Sequence, residues 1–393
     1  MKVLVSGAGV AGPALAWWLV RYGAEVTIVE RAPEFRTGGY VVDFWGAGFD
    51  IVDRMGLLPE IREKGYMVRE VRIVDRHGKR VSGFPVEAFA RISHNRYTSV
   101  PRGDLAETIF RSVEGKIEAI FGDTIEKLEQ DASGVTVQLA RGGERRFDLV
   151  IGADGLHSNV RRLVWGADSR FESYLGFKVA AFTVDGYQPR EELVYLMYTE
   201  VGQQVNRFSM RDDRTMFLFT FADPDPAFPQ NIDEQKALLR RRFGGSGWES
   251  GPILDALDRA PELYFDRVSQ IRMPAEEWCA GGRIALAGDA ASGVSLLAGE
   301  GSGLAIVAAY ILAGELHRAG GDYQRAFARY RDLFLPFVIG KQRAALRFAR
   351  SFAPPSKMAI VMRNLIFRVM SIGWVADLAA GRGLRDDIVL PDY

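Results

Sequence analysis

The chain has 393 residues, room for two or three domains at roughly 150 residues each and for a full core without disulfides or metals. Fifty Lys and Arg balance fifty Asp and Glu, so no global field exists to hold a nucleic acid or draw the chain to an acidic membrane, and a small, mostly neutral ligand suits it better. A single cysteine, Cys279, excludes an internal disulfide, and with no secretory-type start it points to a reducing, cytoplasmic setting.

Lys2–Ser6 reads as a strand, followed by a glycine turn, a helix over Pro13–Arg21 and a strand over Glu25–Glu30: a βαβ unit of a parallel sheet. Gly134–Ala140 and Arg146–Ile151 read as a hairpin around Arg141-Gly142-Gly143-Glu144, its second strand running into Gly152-Ala-Asp-Gly155. Successive strand-like stretches with polar turns between Phe171 and Phe221 indicate an antiparallel sheet in a second domain. Helices over Glu234–Phe243 and Pro252–Arg259 precede a buried strand, Arg283–Ala287, which ends in Gly288-Asp289. Everything after Gly299 reads as helix, with breaks near Gly320-Gly321 and Pro354-Pro355. No apolar run reaches the roughly 20 residues of a membrane span. The expected fold is α/β: a Rossmann-like domain with an inserted antiparallel substrate sheet and C-terminal helices. Its expected division is 1–70 with 101–170 and 275–320, 71–100 with 171–274, and a helical 321–393.

Gly7-Ala-Gly9-Val-Ala-Gly12 follows a strand and opens a helix, and Glu30 ends the next strand 18 residues later. Gly7 permits the tight turn, Gly9 lets the backbone approach a pyrophosphate, and Gly12 allows close packing of helix on strand, while Glu30 can accept from an adenosine ribose. A carboxylate there also repels a ribose 2′-phosphate. NAD and FAD share this fingerprint. Gly288-Asp289 ends a strand some 280 residues on, and Gly299-Glu-Gly301-Ser-Gly303 opens another helix. A second helix N-terminus aimed at the same ligand would suit FAD, which is long enough to use both.

Jointly, these residues resemble the class A flavoprotein monooxygenases of the para-hydroxybenzoate hydroxylase fold, the group that includes tetracycline-inactivating monooxygenases. The similarity extends over Glu30-Arg31, Phe35–Asp43, Val100–Leu105, Asp148–Gly155 with Ser158–Arg161, Gly288–Ala291 and Ala298–Gly301. It implies a cofactor-binding set of Gly7, Gly9, Gly12, Glu30, Arg31, Arg36, Asp43, Arg102, Asp154, Asp289, Gly299 and Gly301. Arg36 and Asp43 would lie along the flavin and its linker, Arg102 would hold FAD, and Asp289 would bind the ribityl and pyrophosphate region. Asp154 would belong to a motif serving FAD and the nicotinamide donor. Read from residue chemistry alone, Arg36 and Arg102 also suit a solvated surface, and Asp154 or Asp289 a turn or cap. The chain departs from the family pattern at Ser292, at Ser295-Leu296-Leu297 and at Glu300, which stands where glutamine is commoner.

The resemblance implies NAD(P)H reducing FAD, O2 adding to the reduced flavin as a C4a-hydroperoxide, and oxygen transfer to a small hydrophobic, aromatic or polyketide-like substrate. No side-chain nucleophile is needed, and His77, His94, His157 and His317 lack metal-ligand spacing. Eleven aromatics among residues 171–221 suit either core packing or an apolar pocket wall, with Gln203, Asn206 and Arg207 as polar candidates. Met358, Val361, Met362, Leu365 and Val369 share one helical face, for packing on the body or a second subunit, or for membrane contact. A dehydrogenase of the same fold and a non-catalytic nucleotide-binding protein are the alternative functions.

Overall fold

The computed structural model describes residues 1–35, 40–85, 96–370 and 388–393. β1 (Lys2–Ser6), α1 (Ala11–Arg21) and β2 (Glu25–Glu30) form the expected βαβ unit. β3 (Val41–Trp45), α2 (Gly46–Arg54), α3 (Leu58–Lys64), β4 (Glu70–Val74), β5 (Arg80–Pro85), β6 (Tyr97–Pro101), α4 (Arg102–Arg111) and β7 (Glu118–Phe121) follow. β8 (Ile125–Asp131), β9 (Gly134–Leu139) and β10 (Gly143–Phe147) make an antiparallel meander, and β11 (Leu149–Gly152) leads into α5 (Asn159–Trp165). Next come β12 (Glu172–Asp185), β13 (Val194–Glu200), β14 (Gln203–Ser209), β15 (Arg214–Ala222), α6 (Ile232–Phe243), α7 (Ser250–Arg259) and β16 (Tyr264–Ile271). β17 (Ile284–Leu286), α8 (Asp289–Ser292), α9 (Gly301–Arg318), α10 (Tyr323–Phe352) and α11 (Lys357–Met370) complete the chain's described elements.

A five-stranded parallel sheet runs in the order β17-β11-β1-β2-β7. Its central strands are near-continuous apolar runs, as a sheet covered on both faces requires. A seven-stranded sheet runs β16-β12-β15-β14-β13-β4-β5, antiparallel except between β13 and β4. The hairpin expected over Gly134–Ile151 needs correction. β10 pairs with β9, but β11 pairs in parallel with β1. The chain changes sheets at Asp148, whose carboxylate and N–H both bond the Lys2 backbone. β16, a polar strand, was not foreseen.

Alternation along β12, β14 and β15 decides what the antiparallel sheet does. Phe182, Val205, Phe217, Phe219 and Phe221 point to its back, where they pack with Tyr187 against Leu239 and Phe243 of α6 and Ile253 and Leu257 of α7. Each such burial contributes about 1.5–3 kcal/mol. Val179, Ala181 and Leu218 point to the front, toward Tyr40, Leu296 and Leu297, while Phe208 and Met216 pack there with Tyr66. The aromatic density is therefore mostly core, and the pocket-wall expectation holds for few of these rings.

α11 packs on the body. Its Arg368 donates to the Val81 carbonyl, Phe367 meets Phe84 edge-on, and Ser82 donates to the Asn364 carbonyl. Of the uses expected for the apolar stripe, packing on the body is not the one found: Met358, Val361, Met362 and Leu365 are exposed, and the buried Arg363 makes the docking contacts. No described helix is long and apolar enough to cross a membrane.

Candidate functional site

The nucleotide end of the site is built at the tips of β1 and β2. Gly7 has φ +106°, and a Cβ there would lie 2.6 Å from the Ala153 carbonyl oxygen; one on Gly12 would lie 1.9 Å from that of Gly7. Both positions thus need glycine, for conformation and for space. Glu30 accepts from the Ala8 N–H and the Ala32 N–H, both at 2.8 Å, so it fixes the glycine loop and keeps further lone pairs for hydroxyls. Arg31 is exposed beside it.

Arg102, at the start of α4, faces this loop. Its Nη2 lies 3.6 Å from where a Cβ on Gly9 would sit, and its guanidinium has no hydrogen bond or ion pair among the described residues. Asp289 lies close enough for Arg102 to oppose the upward push that burial gives its carboxyl, and Arg102 does the same for the Tyr40 phenol. Asp43 accepts from the Ser99 hydroxyl at 2.5 Å, and burial pushes its carboxyl up against that bond. Asp43 and Arg102 keep exposed surface, and Tyr40 and Asp289 keep part of theirs, although protein crowds them on nearly every side. Tyr40, Asp43 and Asp289 thus border a groove beside the exposed Arg102. Among the residues present, an unpaired guanidinium facing a bare glycine backbone fits a pyrophosphate, and Asp289 beside the start of α9 fits a polyol chain. Gly301 brings that helix start within 3.8 Å of the Asp289 Oδ1, measured from its own absent Cβ, and Gly299 takes the left-handed conformation, φ +69°, that the turn before it needs. The residues therefore suit FAD. Arg36 lies outside the described residues.

Asp154 is placed differently from the rest of the set. Its carboxylate accepts from the Ser158 hydroxyl and from the N–H groups of Asn159 and Val160, so its lone pairs go to the start of α5. The bonds hold the carboxyl down while burial pushes it up, and burial prevails. Arg161, fully buried, donates to the carbonyls of Leu156 and Ala290 and to Asp168. It ties the Asp154 turn to the Asp289 turn. The sequence motif contained it, but nothing in the motif showed where its donors go.

Two departures from the family pattern acquire explanations. Glu300 is not a bare carboxylate near the groove: it accepts from Lys341 of α10 at 3.0 Å, and the ammonium also sits over the Trp45 and Phe337 rings. Leu297 is buried against Val179, Ala181, Leu218 and Val268, plugging the groove floor onto the sheet, and Ser295 holds the plug's turn at φ +104° by accepting from the Leu297 N–H. Of the polar candidates, Arg207 and Gln203 face the back of the sheet, bonded to Glu249 and to Glu200 and Ser246. Asn206, offset by one residue, faces the front, opposite Leu218.

A nucleotide grip at one end of a groove and an apolar sheet at the other is the architecture of a flavoprotein that acts on small molecules. Residues 1–321 match the family described as FAD binding domain, and the chain belongs to that family. It is an FAD-dependent oxidoreductase with the class A flavoprotein monooxygenase fold. It is 39% identical over 352 residues to an uncharacterised protein of Mycobacterium tuberculosis (strain ATCC 25618 / H37Rv), covering 86% of this chain and 91% of that one. A flavin-dependent monooxygenase from an unknown prokaryotic organism is 35% identical over 355 residues, 89% of this chain and 90% of the relative. The crystal structure of tetracycline destructase Tet(51) superposes with a TM-score of 0.83 at 31% identity, covering 100% of this chain and 99% of that one.

Proposed function

We propose that the protein uses NADH or NADPH and O2 to place an oxygen atom on a flat, aromatic or polyketide-like small molecule. The observation that carries this reading is Arg102, which faces Gly9, lies close to Asp289 and has no hydrogen bond or ion pair among the described residues. Gly7, Gly9, Gly12, Glu30 and Arg31 would hold the adenosine end of FAD, Arg102 its phosphates, and Asp43, Asp289, Gly299 and Gly301 its ribityl and ring end. Asp154 would act by shaping the turn beneath Gly7. When bound, FAD supplies the hydride acceptor and the centre of oxygen activation.

The chain's own residues provide the surroundings for that chemistry. The N-terminus of α9 brings its positive dipole end to the groove and would stabilise negative charge there. Lys341 cancels the charge of Glu300 close by. Leu296, Leu297 and the sheet front exclude water, which preserves reactive oxygen species for the substrate. Similarity to a tetracycline destructase supports a polycyclic substrate over a small phenol.

The first test is flavin content and its response to NAD(P)H. Purified protein is expected to bind FAD and to be bleached by NADH or NADPH without O2, with Asp289→Ala weakening FAD binding by about tenfold, the loss of one charge-assisted contact. A protein that cannot be loaded with FAD contradicts the reading. Unchanged FAD affinity in the Asp289→Ala variant removes that residue from the site.

A further inference from the structure

A cavity of about 380 Å³ lies between the end of β16, α8 and the middle of α10, within the roughly 300–1,000 Å³ of small-molecule pockets. It is separate from the cofactor groove. Asp289 borders the groove, whereas Ala291, two residues on and about 200° round the helix, lines the cavity. None of the described residues assigned above to FAD is among those that line it.

One wall is a face of α10. Leu335, Val338, Ile339, Gln342, Arg343 and Leu346 line the cavity, and steps of three and four keep them on one side of the helix. One turn earlier the helix is closed down, with Tyr330 and Phe334 buried against Trp278. Here Ile339 and Leu346 remain 36% and 38% exposed. Opposite them stand Ile271, Met273, Pro274 and the Trp278 ring, whose indole N–H is already given to the Met273 carbonyl at 3.2 Å, so that the ring offers apolar surface. Two buried glutamines hold the walls apart. Gln342 donates to the carbonyls of Ile271 and Gly293 at 2.7 and 3.2 Å, and Gln270 donates to those of Val294 and Gln342 at 3.0 and 2.9 Å.

The charges at this apolar space have one sign. Arg272 and Arg343 line it, both exposed, while no aspartate or glutamate does. Arg343 has no hydrogen bond or ion pair among the described residues, and Arg272 pairs with no carboxylate among them. Instead Gln270 Oε1 accepts from Arg272 Nε at 3.1 Å and Nη2 at 2.6 Å. The guanidinium is thereby braced on a fully buried amide, with Nη1 left over for a ligand.

We propose that this cavity binds a free aliphatic carboxylic acid, its chain against the α10 face and Trp278 and its carboxylate on Arg272 and Arg343. Aliphatic walls suit an alkyl chain, each methylene they bury strengthening binding roughly fourfold, and a guanidinium fork matches a carboxylate. An alkylammonium would meet two cations and no anion. The site is independent of the reaction at the flavin.

Isothermal titration of the FAD-loaded protein with decanoate, decanol and decylammonium, each below its micelle concentration, tests the proposal. Decanoate is expected to bind one to one, about tenfold or more tightly than decanol, and decylammonium more weakly than either. Arg343→Gln, a change at an exposed side chain, should weaken decanoate by about tenfold and leave decanol unaltered. Ile339→Trp fills the mouth of the cavity and should remove the binding of both, with the melting temperature and FAD affinity of the wild type. Absence of decanoate binding, or decanoate binding no tighter than decanol, overturns the proposal. So does decanoate affinity unchanged in both variants, which would place the ligand elsewhere on the protein.

Discussion

Lys341 shows how a single residue changes the meaning of another. Glu300 alone would bring an uncompensated carboxylate to a groove meant for an anionic cofactor, and Lys341, 41 residues away in sequence, cancels it at 3.0 Å. Both side chains are mostly buried, 11% and 19% exposed, so removing one partner is costly, though less than the roughly 3–5 kcal/mol of a fully buried pair. Lys341→Met is expected to lower stability by about 1–2 kcal/mol, and adding Glu300→Gln should recover most of it. Urea unfolding of the three variants checks this, and a double variant no more stable than Lys341→Met contradicts the pairing. At this scale the sequence was legible where a residue's role is set by its immediate neighbours, as for the tight turn at Gly7 and the close packing at Gly12. It was opaque where one position of offset decides: Arg207 and Asn206 are adjacent, and the pleat sends one to the back core and the other to the front. Asp154 belongs to the same group, since an aspartate beside Ser158 reads equally as ligand or cap until its lone pairs are followed.

Between elements, α2 and α9 approach each other closely in the cofactor region. A Cβ on Gly48 would lie 2.6 Å from the Gly303 Cα, so these helices meet backbone to backbone and Gly303, in the second glycine-rich stretch, is explained by packing. Gly48→Ala must push α9 away. The expected cost is about 1–3 kcal/mol, the range for overpacking, together with weaker FAD binding, because Gly301 and Asp289 move with the helix start. Unfolding and flavin titration measure both, and a variant with normal stability contradicts the contact. Periodicity and end signals located α1, α6, α7 and the C-terminal helices, whereas α2, α3, α4, α5 and α8 were not foreseen, although a side-chain cap at Ser158 opens α5. They failed at the β10–β11 break, where an uninterrupted strand pattern carries no sign that the chain leaves one sheet for another. For the apolar stripe of α11 they left the body, a second subunit and a membrane all open, and the structure removes the first, since Arg363 does the docking.

For the whole molecule, the joint between the parallel sheet and the antiparallel sheet matters most, since the groove lies along it. His157, after β11, meets Asp266 of β16 across that joint at 3.3 Å. The hydrogen bond to Asp266 raises the imidazole from its usual value near 6.5, outweighing burial; Glu172 also raises it and Arg267 opposes. A raised histidine stabilises the fold fully below its unfolded value, and this is lost as pH rises through the higher folded value. Wild type should therefore melt above His157→Gln at pH 6 and converge with it by about pH 8.5; a difference that grows with rising pH contradicts the assignment. The broad architecture was legible because a βαβ unit, an inserted β-rich stretch and a late strand leave few ways to assemble. Which faces meet across the joint was not, since that depends on contacts such as His157–Asp266 between segments 109 residues apart. The measurement that bears most directly on the proposed activity is turnover under labelled dioxygen with NAD(P)H and a polycyclic substrate. One labelled oxygen atom in the product is the expected result; product formed without label, or NAD(P)H oxidised with hydrogen peroxide alone, contradicts it.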